Sequence, residues 1–347
     1  MKWFAVRPTV TALAIGAVGG AVGAWIGLPL AWLLGAMLAT LAASIAGVRA
    51  SVPMALRQPV LVILGMFIGS SFSPGTVERI AEWPWTLAAV ALLVPVSTWL
   101  AALYYARAAG FDATTAVFSA APGGLSSMIV IGAGSGGDER LIALTQSLRV
   151  FLIVLLIPLA VDAFTPISPS PVQADAVAVS DEFAQWLILV FGVAAGIVVA
   201  RLARMPSPYM TGAMFASAAL HLTGASTVVP PEPLLWLALW VIGSAVGAQF
   251  GGFDVRTLLS IGRHAVIVAL ILIGLAAVVA VGLGAVLDLD ILATLLAFVP
   301  GGVAEMCLIA VVFDADPAFV AVHHLLRISL ILIAAPAVGA MAKRRAR

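Results

Sequence analysis

One polar pattern occurs twice in an otherwise apolar chain, so whatever this sequence folds into is built twice. Pro122-Gly123-Gly124 returns as Pro300-Gly301-Gly302. At the same offset of 178 residues Met128 returns as Met306, Asp138 as Asp316, Arg149 as Arg327 and Pro158 as Pro336. Upstream, Gly65 and Gly69 match Gly243 and Gly247. Pro29 and Gly35-Ala36-Met37 match Pro206 and Gly212-Ala213-Met214 at an offset of 177, one residue being gained between. Apolar matches mean little in such a chain, but an arginine, an aspartate and Pro-Gly-Gly in one ungapped register mean duplication. Many transporters are built from a duplicated membrane unit.

The context of the pattern is membrane-like. Hydrophobic residues make up 63% of the 347 and charged residues 10%, against about 25% charged in globular chains. A helical crossing needs about 20 apolar residues, and the chain supplies such stretches repeatedly. With a net charge of +1 and no basic stripe, there is no footprint for nucleic acid. The single Cys307 excludes an internal disulfide and a cysteine metal cage. The basic and then apolar N-terminus resembles a signal peptide. Its counterpart at 183–202 opens the second half, so 9–26 is read as a retained helix.

Apolar segments fall near 9–26, 29–46, 55–72, 85–105, 112–134 and 139–161, then 183–202, 207–222, 233–250, 264–285, 290–312 and 317–341. This divides the chain into a first repeat over 1–162, a linker over 163–182 and a second repeat over 183–347. The linker, rich in Pro, Ser and Ala, has nothing to offset the entropy of ordering. The fifth and eleventh segments carry Pro-Gly-Gly near their middles. Proline removes a helix donor, and the two glycines weaken the next helical turn. Each segment therefore reads as two half-helices, 112–121 with 125–134 and 290–299 with 303–312.

Basic residues orient the segments, because cytoplasmic loops carry the Lys and Arg excess. Lys2 and Arg7 put the N-terminus inside, and Lys343, Arg344, Arg345 and Arg347 put the C-terminus inside. Residues 162–182 hold four acids and no base, which favours outside. These assignments agree if each Pro-Gly-Gly segment is re-entrant. The expected fold is therefore an all-α polytopic membrane protein of two inverted repeats, each with about five transmembrane helices plus one broken or re-entrant Pro-Gly-Gly helix. Twelve full crossings in parallel repeats are the alternative.

Breaks in membrane helices free backbone groups that must find partners or line a polar cavity. Pro122, Gly123, Gly124, Pro300, Gly301 and Gly302 are therefore the first substrate-site candidates, a satisfied kink being the plain reading. Amides opening the second half-helix suit an anion. Arg149 and Arg327 lie too deep to reach the interface easily. Each is a fork for an anionic group, or a strut that bonds carbonyls or pairs with an acid. Glu305 stands where the first half has Ser127, and either pairs with one of these arginines or carries a proton. His323 and His324, where the first half has Thr145 and Gln146, would extend Glu305 into a proton relay. Ser126, Ser127, Thr145, Gln146 and Ser147 are candidates for a polar lining, hydroxyls bonded back to their own helix being the plain alternative. Asp138 and Asp316 read as helix N-caps. Trp3, Trp25, Trp83, Trp85 and Trp186 read as interface anchors. The histidine spacing gives no metal site, and no cofactor is expected.

The doubled Pro-Gly-Gly with its downstream Asp and intramembrane Arg, together with the Gly-Ala-Met helix, resembles the bacterial AbrB membrane-protein family over essentially the whole chain. That family is distinct from the soluble DNA-binding regulators of the same name. The resemblance implies a multi-pass protein of the bacterial inner membrane. It also brings two labels, regulation of gene expression and, in older usage, ammonia monooxygenase, and it carries over no catalytic residue. A copper or di-iron oxygenase needs clustered His or carboxylate ligands, and only Glu305, His323 and His324 offer themselves. The residues by themselves favour a secondary transporter of a small polar or anionic solute. A membrane-embedded regulator acting through a partner is the second reading and an oxygenase the third. The expected partners are the lipid bilayer, the solute and, in a homo-oligomer, further copies of the chain.

Overall fold

The computed structural model describes residues 3–72, 78, 80, 83–164 and 182–345. The expected linker lies outside these residues except at its ends. Among the described residues the regular structure is entirely helical. The first half holds α1 (Trp3–Trp25), α2 (Ala31–Ile45), α3 (Met54–Ser70), α4 (Trp83–Ala108), α5 (Ala113–Ala120), α6 (Leu125–Gly134) and α7 (Glu139–Phe164). The second holds α8 (Glu182–Leu202), α9 (Pro208–Leu222), α10 (Glu232–Gly247), α11 (Val255–Leu287), α12 (Ile291–Phe298), α13 (Val303–Val312) and α14 (Pro317–Arg345). A 3-10 turn, Ala248–Phe250, extends α10.

Among the described residues seven helices are long and apolar enough to cross a membrane: α1, α4, α7, α8, α10 with its 3-10 turn, α11 and α14. The 15 residues of α2 and 17 of α3 rise only about 22 and 25 Å, short of the roughly 30 Å hydrocarbon layer. The fifth and eleventh segments are each two helices. α5 and α12 have 8 residues, α6 and α13 have 10, and the chain is extended at Ala121 and Val299 between them.

One boundary and one expected anchor differ from expectation. α11 starts nine residues before the segment expected at 264–285 and runs for 33. The cause is Asp254, which accepts from the Thr257 amide at 2.8 Å and from the Thr257 hydroxyl at 2.6 Å and so caps a polar first turn. Trp83 is not an exposed anchor. It is 5% exposed, with its ring 6.1 Å from that of His323. Trp25 and Trp85 are exposed, as anchors should be, whereas Trp186 is partly buried against Leu189, Val193 and Ala213.

The chain forms two compact units, and neither coincides with one repeat. The first comprises residues 1–81, 157–251 and 303–321. Its helices meet at glycines, as membrane helices do when backbones approach closely. α1 lies on α2 and α8 on α9, and a side chain on Gly35 or on Gly212 would collide with the carbonyl of Gly19 or of Gly196. The repeats then exchange partners. α3 packs on α9, where Gly65 faces the Met210 carbonyl, and α10 packs on α2, where Gly243 faces the Leu33 carbonyl. Gly69 against Met214 and Gly247 against Met37 repeat the exchange one turn on. The N-terminal residues of α2 and α9 match as well: Leu30 and Ser207 both take the left-handed conformation, each with φ 49°.

The second unit comprises residues 82–156, 252–302 and 322–347. Its core joins α4, α5 and α11 through Ala101, Tyr105, Ala116, Ala120, Val268 and Leu272. The Tyr105 ring stacks on Phe111 at 5.3 Å and 4°. The hydroxyl of Tyr104 meets His264 Nδ1 at 3.1 Å. Both Pro-Gly-Gly tips and both repeated arginines belong to this unit.

Candidate functional site

The site grows out of the two helix breaks. α5 begins at Asp112, whose carboxylate accepts from the amides of Thr114 and Thr115 at 3.0 and 2.9 Å. Thr115 Oγ1 accepts from the Asp138 amide at 2.8 Å and donates to the Asp112 carboxylate, tying the start of α5 to the start of α7. Asp290 plays the capping part for α12, accepting from the Leu292 amide at 2.8 Å. Asp138 accepts from the amides of Arg140 and Leu141, and its counterpart Asp316 from those of Ala318 and Phe319. Both aspartates are therefore N-caps.

α5 and α12 end for one reason. A continuing helix would satisfy the Phe118 carbonyl with the N–H of residue 122 and the Leu296 carbonyl with that of residue 300, but both are prolines. Two side chains of the succeeding long helices, α7 and α14, replace the missing donors. Gln146 Nε2 donates to Phe118 O at 2.7 Å, and His324 Nε2 to Leu296 O at 2.8 Å. Gln146 and His324 are themselves counterparts in the duplication.

The arginines repeat the arrangement one turn on. Arg149 Nη1 donates to Ala121 O at 3.1 Å and Arg327 Nη1 to Val299 O at 2.9 Å. A guanidinium at a helix C-terminal end is favoured by the exposed carbonyls and the helix dipole. Within each tip the glycine amide folds back, Gly123 N on Ala121 O at 2.9 Å and Gly301 N on Val299 O at 2.8 Å.

From there the copies diverge. Arg327 also donates through Nη2 to Gly301 O and to His324 Nδ1, both at 2.8 Å. Since the guanidinium can only donate and the Leu296 carbonyl can only accept, His324 is held neutral with its proton on Nε2. Arg149 has no such second anchor among the described residues. Both arginines are buried, at 4% and 3% exposure. Their Nε atoms are buried without a hydrogen-bond partner among the described residues.

The other candidates differ in burial and in the bonds they make. Pro122, Pro300 and Gly301 are buried, while Gly123, Gly124 and Gly302 are half-buried. Ser126 is exposed and Ser127 half-buried. The Thr145 hydroxyl is spent on the carbonyls of Leu141 and Ile142 at 2.7 and 3.1 Å. His323 Nε2 meets Thr86 Oγ1 at 2.7 Å, and Thr86 donates onward to Trp83 O at 2.9 Å. Glu305 is buried in the first turn of α13 and belongs to the other compact unit. Sequence reasoning missed the carbonyls of Phe118, Ala121, Leu296 and Val299 as the groups around which the site is organised. For Phe118 and Leu296 the signal was present, since each proline names the carbonyl four residues earlier that it leaves unserved.

Beside the first break an apolar cavity of about 470 Å³ opens between α4, α5 and α14, walled by Pro95, Trp99, Phe118, Ala121, Met128 and Ile331 among others. Among the described residues no group of three or more His, Cys, Asp or Glu side chains is placed to hold a metal ion.

A duplicated, all-helical chain with seven membrane-length apolar helices and two broken segments held by buried arginines belongs to the class of polytopic membrane proteins. The family model described as "Transition state regulatory protein AbrB" matches residues 32–342. The chain belongs to the AbrB family, in its membrane branch rather than that of the small DNA-binding proteins. It is 28% identical over 305 residues to "Putative regulator AbrB" of Escherichia coli K12, covering 84% of each chain. It is also 25% identical over 289 residues to "Uncharacterized protein YhjN" of Bacillus subtilis 168, covering 79% of this chain and 75% of that one. No solved structure matches the chain.

Proposed function

We propose that this protein is a secondary transporter of a small anionic solute in the bacterial inner membrane. The observation that carries the proposal is the pair of buried guanidiniums, Arg149 and Arg327, whose hydrogen bonds go to backbone carbonyls and to a neutral histidine rather than to a carboxylate. A buried charge normally requires a counter-charge. Two in one compact unit leave it short of negative charge, which a bound anion supplies. Helix α6, opening at Gly124 with no side-chain cap, adds unserved amides to the same tip.

An architecture of two inverted repeats, 1–162 and 183–347, joined by an extracytoplasmic linker over 163–182, supports transport. The reciprocal packing of α3 on α9 and of α10 on α2 is the exchange a pseudo-two-fold relation generates. The basic residues at both ends and the acidic linker favour cytoplasmic termini. In this reading the glycine-packed unit is the stiff part, and the unit with the two breaks carries the solute.

Uptake into proteoliposomes, screened over small organic and inorganic anions with and without a pH gradient, tests the proposal. Anion uptake that Arg149→Lys reduces in stably folded protein is the expected outcome. Absence of uptake across that panel would count against transport and favour the second reading, a membrane-embedded regulator acting through a partner. That reading draws on the printed name of the Escherichia coli relative.

A further inference from the structure

The two copies of the site are not equivalent, and the difference bears on which anion the first one takes. Among the buried side-chain atoms without a hydrogen-bond partner are Ser119 Oγ, Gln146 Oε1 and Arg149 Nε. All three side chains gather at the C-terminal end of α5. Gln146 Nε2 and Arg149 Nη1 meet on the same acceptor, Ala121 O, at 2.8 and 3.1 Å, and Gln146 Nε2 also lies 3.4 Å from the carbonyl of Ser119. The orientation of the amide is forced. Its nitrogen faces three carbonyl oxygens, which can only accept, so its oxygen must point away.

The second copy closes two of these three positions. Ser119 becomes Ala297, which has no hydroxyl, and Gln146 becomes His324, both of whose ring nitrogens are engaged. Arg327 spends Nη1 and Nη2 on three acceptors, whereas Arg149 bonds through Nη1 alone among the described residues. The second copy is left with Arg327 Nε alone of these atoms unpartnered among the described residues. The first retains a donor on the guanidinium edge, an acceptor on the amide and a hydroxyl that serves as either. Buried polar groups of this kind are rarely left without a partner.

We infer that the first-half cluster of Ser119, Gln146 and Arg149 is the binding site proper, and that its ligand is a small carboxylate carrying its own hydrogen-bond donor, a hydroxycarboxylate. This rests on the anion reading above and narrows it. Arg149 presents its free edge to the carboxylate. Gln146 Oε1 accepts from the ligand hydroxyl, which a plain carboxylate cannot offer, and Ser119 bridges the two. The three free atoms are shielded from solvent, so the ligand enters when the 121–124 segment yields. Gly123 packs against Met128 and Ile331 without room for a side chain.

The test uses the full-length protein purified in lipid nanodiscs and two probes with the same carbon skeleton, lactate and propionate, titrated by calorimetry. A site built to hydrogen-bond a hydroxyl discriminates against the analogue lacking it, and lactate is expected to bind about tenfold more tightly. Ser119→Ala should shrink that preference while leaving propionate binding in place, and Arg149→Lys should weaken both. Binding of both probes that depends on Arg149, with no preference for lactate, overturns the ligand class and leaves the anion site standing. Binding of neither, or binding indifferent to Arg149→Lys, overturns both. Should Ser119→Ala fold poorly, Ser119→Thr, which keeps the hydroxyl, must retain the lactate preference for the inference to hold.

Discussion

Arg149 donates from Nη1 to the carbonyl oxygen of Ala121 at 3.1 Å, and 178 residues later Arg327 repeats the bond to Val299 at 2.9 Å. The bond ties each broken segment to the long helix that succeeds it. Among the described residues only Arg327 adds two further bonds, to Gly301 O and His324 Nδ1. Replacement by lysine keeps a charge but not the planar fork. Arg327→Lys should therefore cost about 2–3 kcal/mol of stability, on a scale of about 1.5–3 for a hydrogen bond from a charged group. Arg149→Lys should cost about half as much. Denaturation of the two purified variants side by side measures the difference, and equal losses would contradict this asymmetry.

The glycine crossings predict a different pattern. A side chain on Gly35 meets the backbone of Gly19, and one on Gly243 meets the backbone of Leu33, so neither obstacle can rotate away. Gly35→Ala and Gly243→Ala should each lose about 1–3 kcal/mol through overpacking. Gly262 in α11 has open space where its Cβ would stand, and Gly262→Ala should be neutral or gain up to about 1 kcal/mol from helix propensity. Thermal unfolding of the three variants checks the ranking.

The parts of this arrangement legible in the sequence are those where a polar or helix-breaking residue interrupts apolar sequence. Pro122 and Pro300 announce the two breaks, Asp138 and Asp316 the caps, and Arg149 and Arg327 the buried charges, because each is costly where it stands. The arginines' acceptors are not legible in that way. They are main-chain carbonyls of Ala121 and Val299, and a carbonyl leaves no mark on residue identity. The pairing of α3 with α9 is hidden for a related reason. Gly65 and Gly69 signal that some backbone comes close, but nothing in their spacing names Met210 or Met214 as the neighbour. The early start of α11 escaped because Arg256 and Arg263 dilute the apolar window, although Asp254 and Thr257 already spell a cap. Trp83 followed the statistics of interfacial tryptophans, and its contact with His323 is non-local.

The cap at Asp254 carries a pH signature. Hydrogen bonds from the Thr257 hydroxyl and amide, opposed weakly by desolvation, hold its carboxyl below the usual carboxylate value. A carboxylate depressed in the folded protein stabilises above its unfolded pKa of about 3.9, and that contribution is lost as pH falls through the folded value. The first turn of α11 should therefore fray on acidification below about pH 4. Hydrogen exchange at residues 255–258 should quicken there in the native protein. In Asp254→Asn, which still accepts but does not titrate, the change should be absent.

His324 has its own control in the duplication. It donates to Leu296 O and accepts from Arg327 Nη2, while its counterpart Gln146 donates to Phe118 O and to Ala121 O. His324→Gln places the first-half residue in the second-half frame. Its amide nitrogen still reaches Leu296 O and its oxygen is available to Arg327, so the loss should stay near 1 kcal/mol. His324→Leu fills similar space but leaves the Leu296 carbonyl without a donor and removes one acceptor from a buried guanidinium, for an expected loss of about 2–4 kcal/mol. A requirement for imidazole chemistry gives no such ordering of function. Both variants would then lose pH-driven uptake alike, whatever their stability. Measuring unfolding and proteoliposome uptake on the same preparations separates the two. Full uptake by a stable His324→Gln identifies this histidine as a structural donor and acceptor and removes it from any proton path.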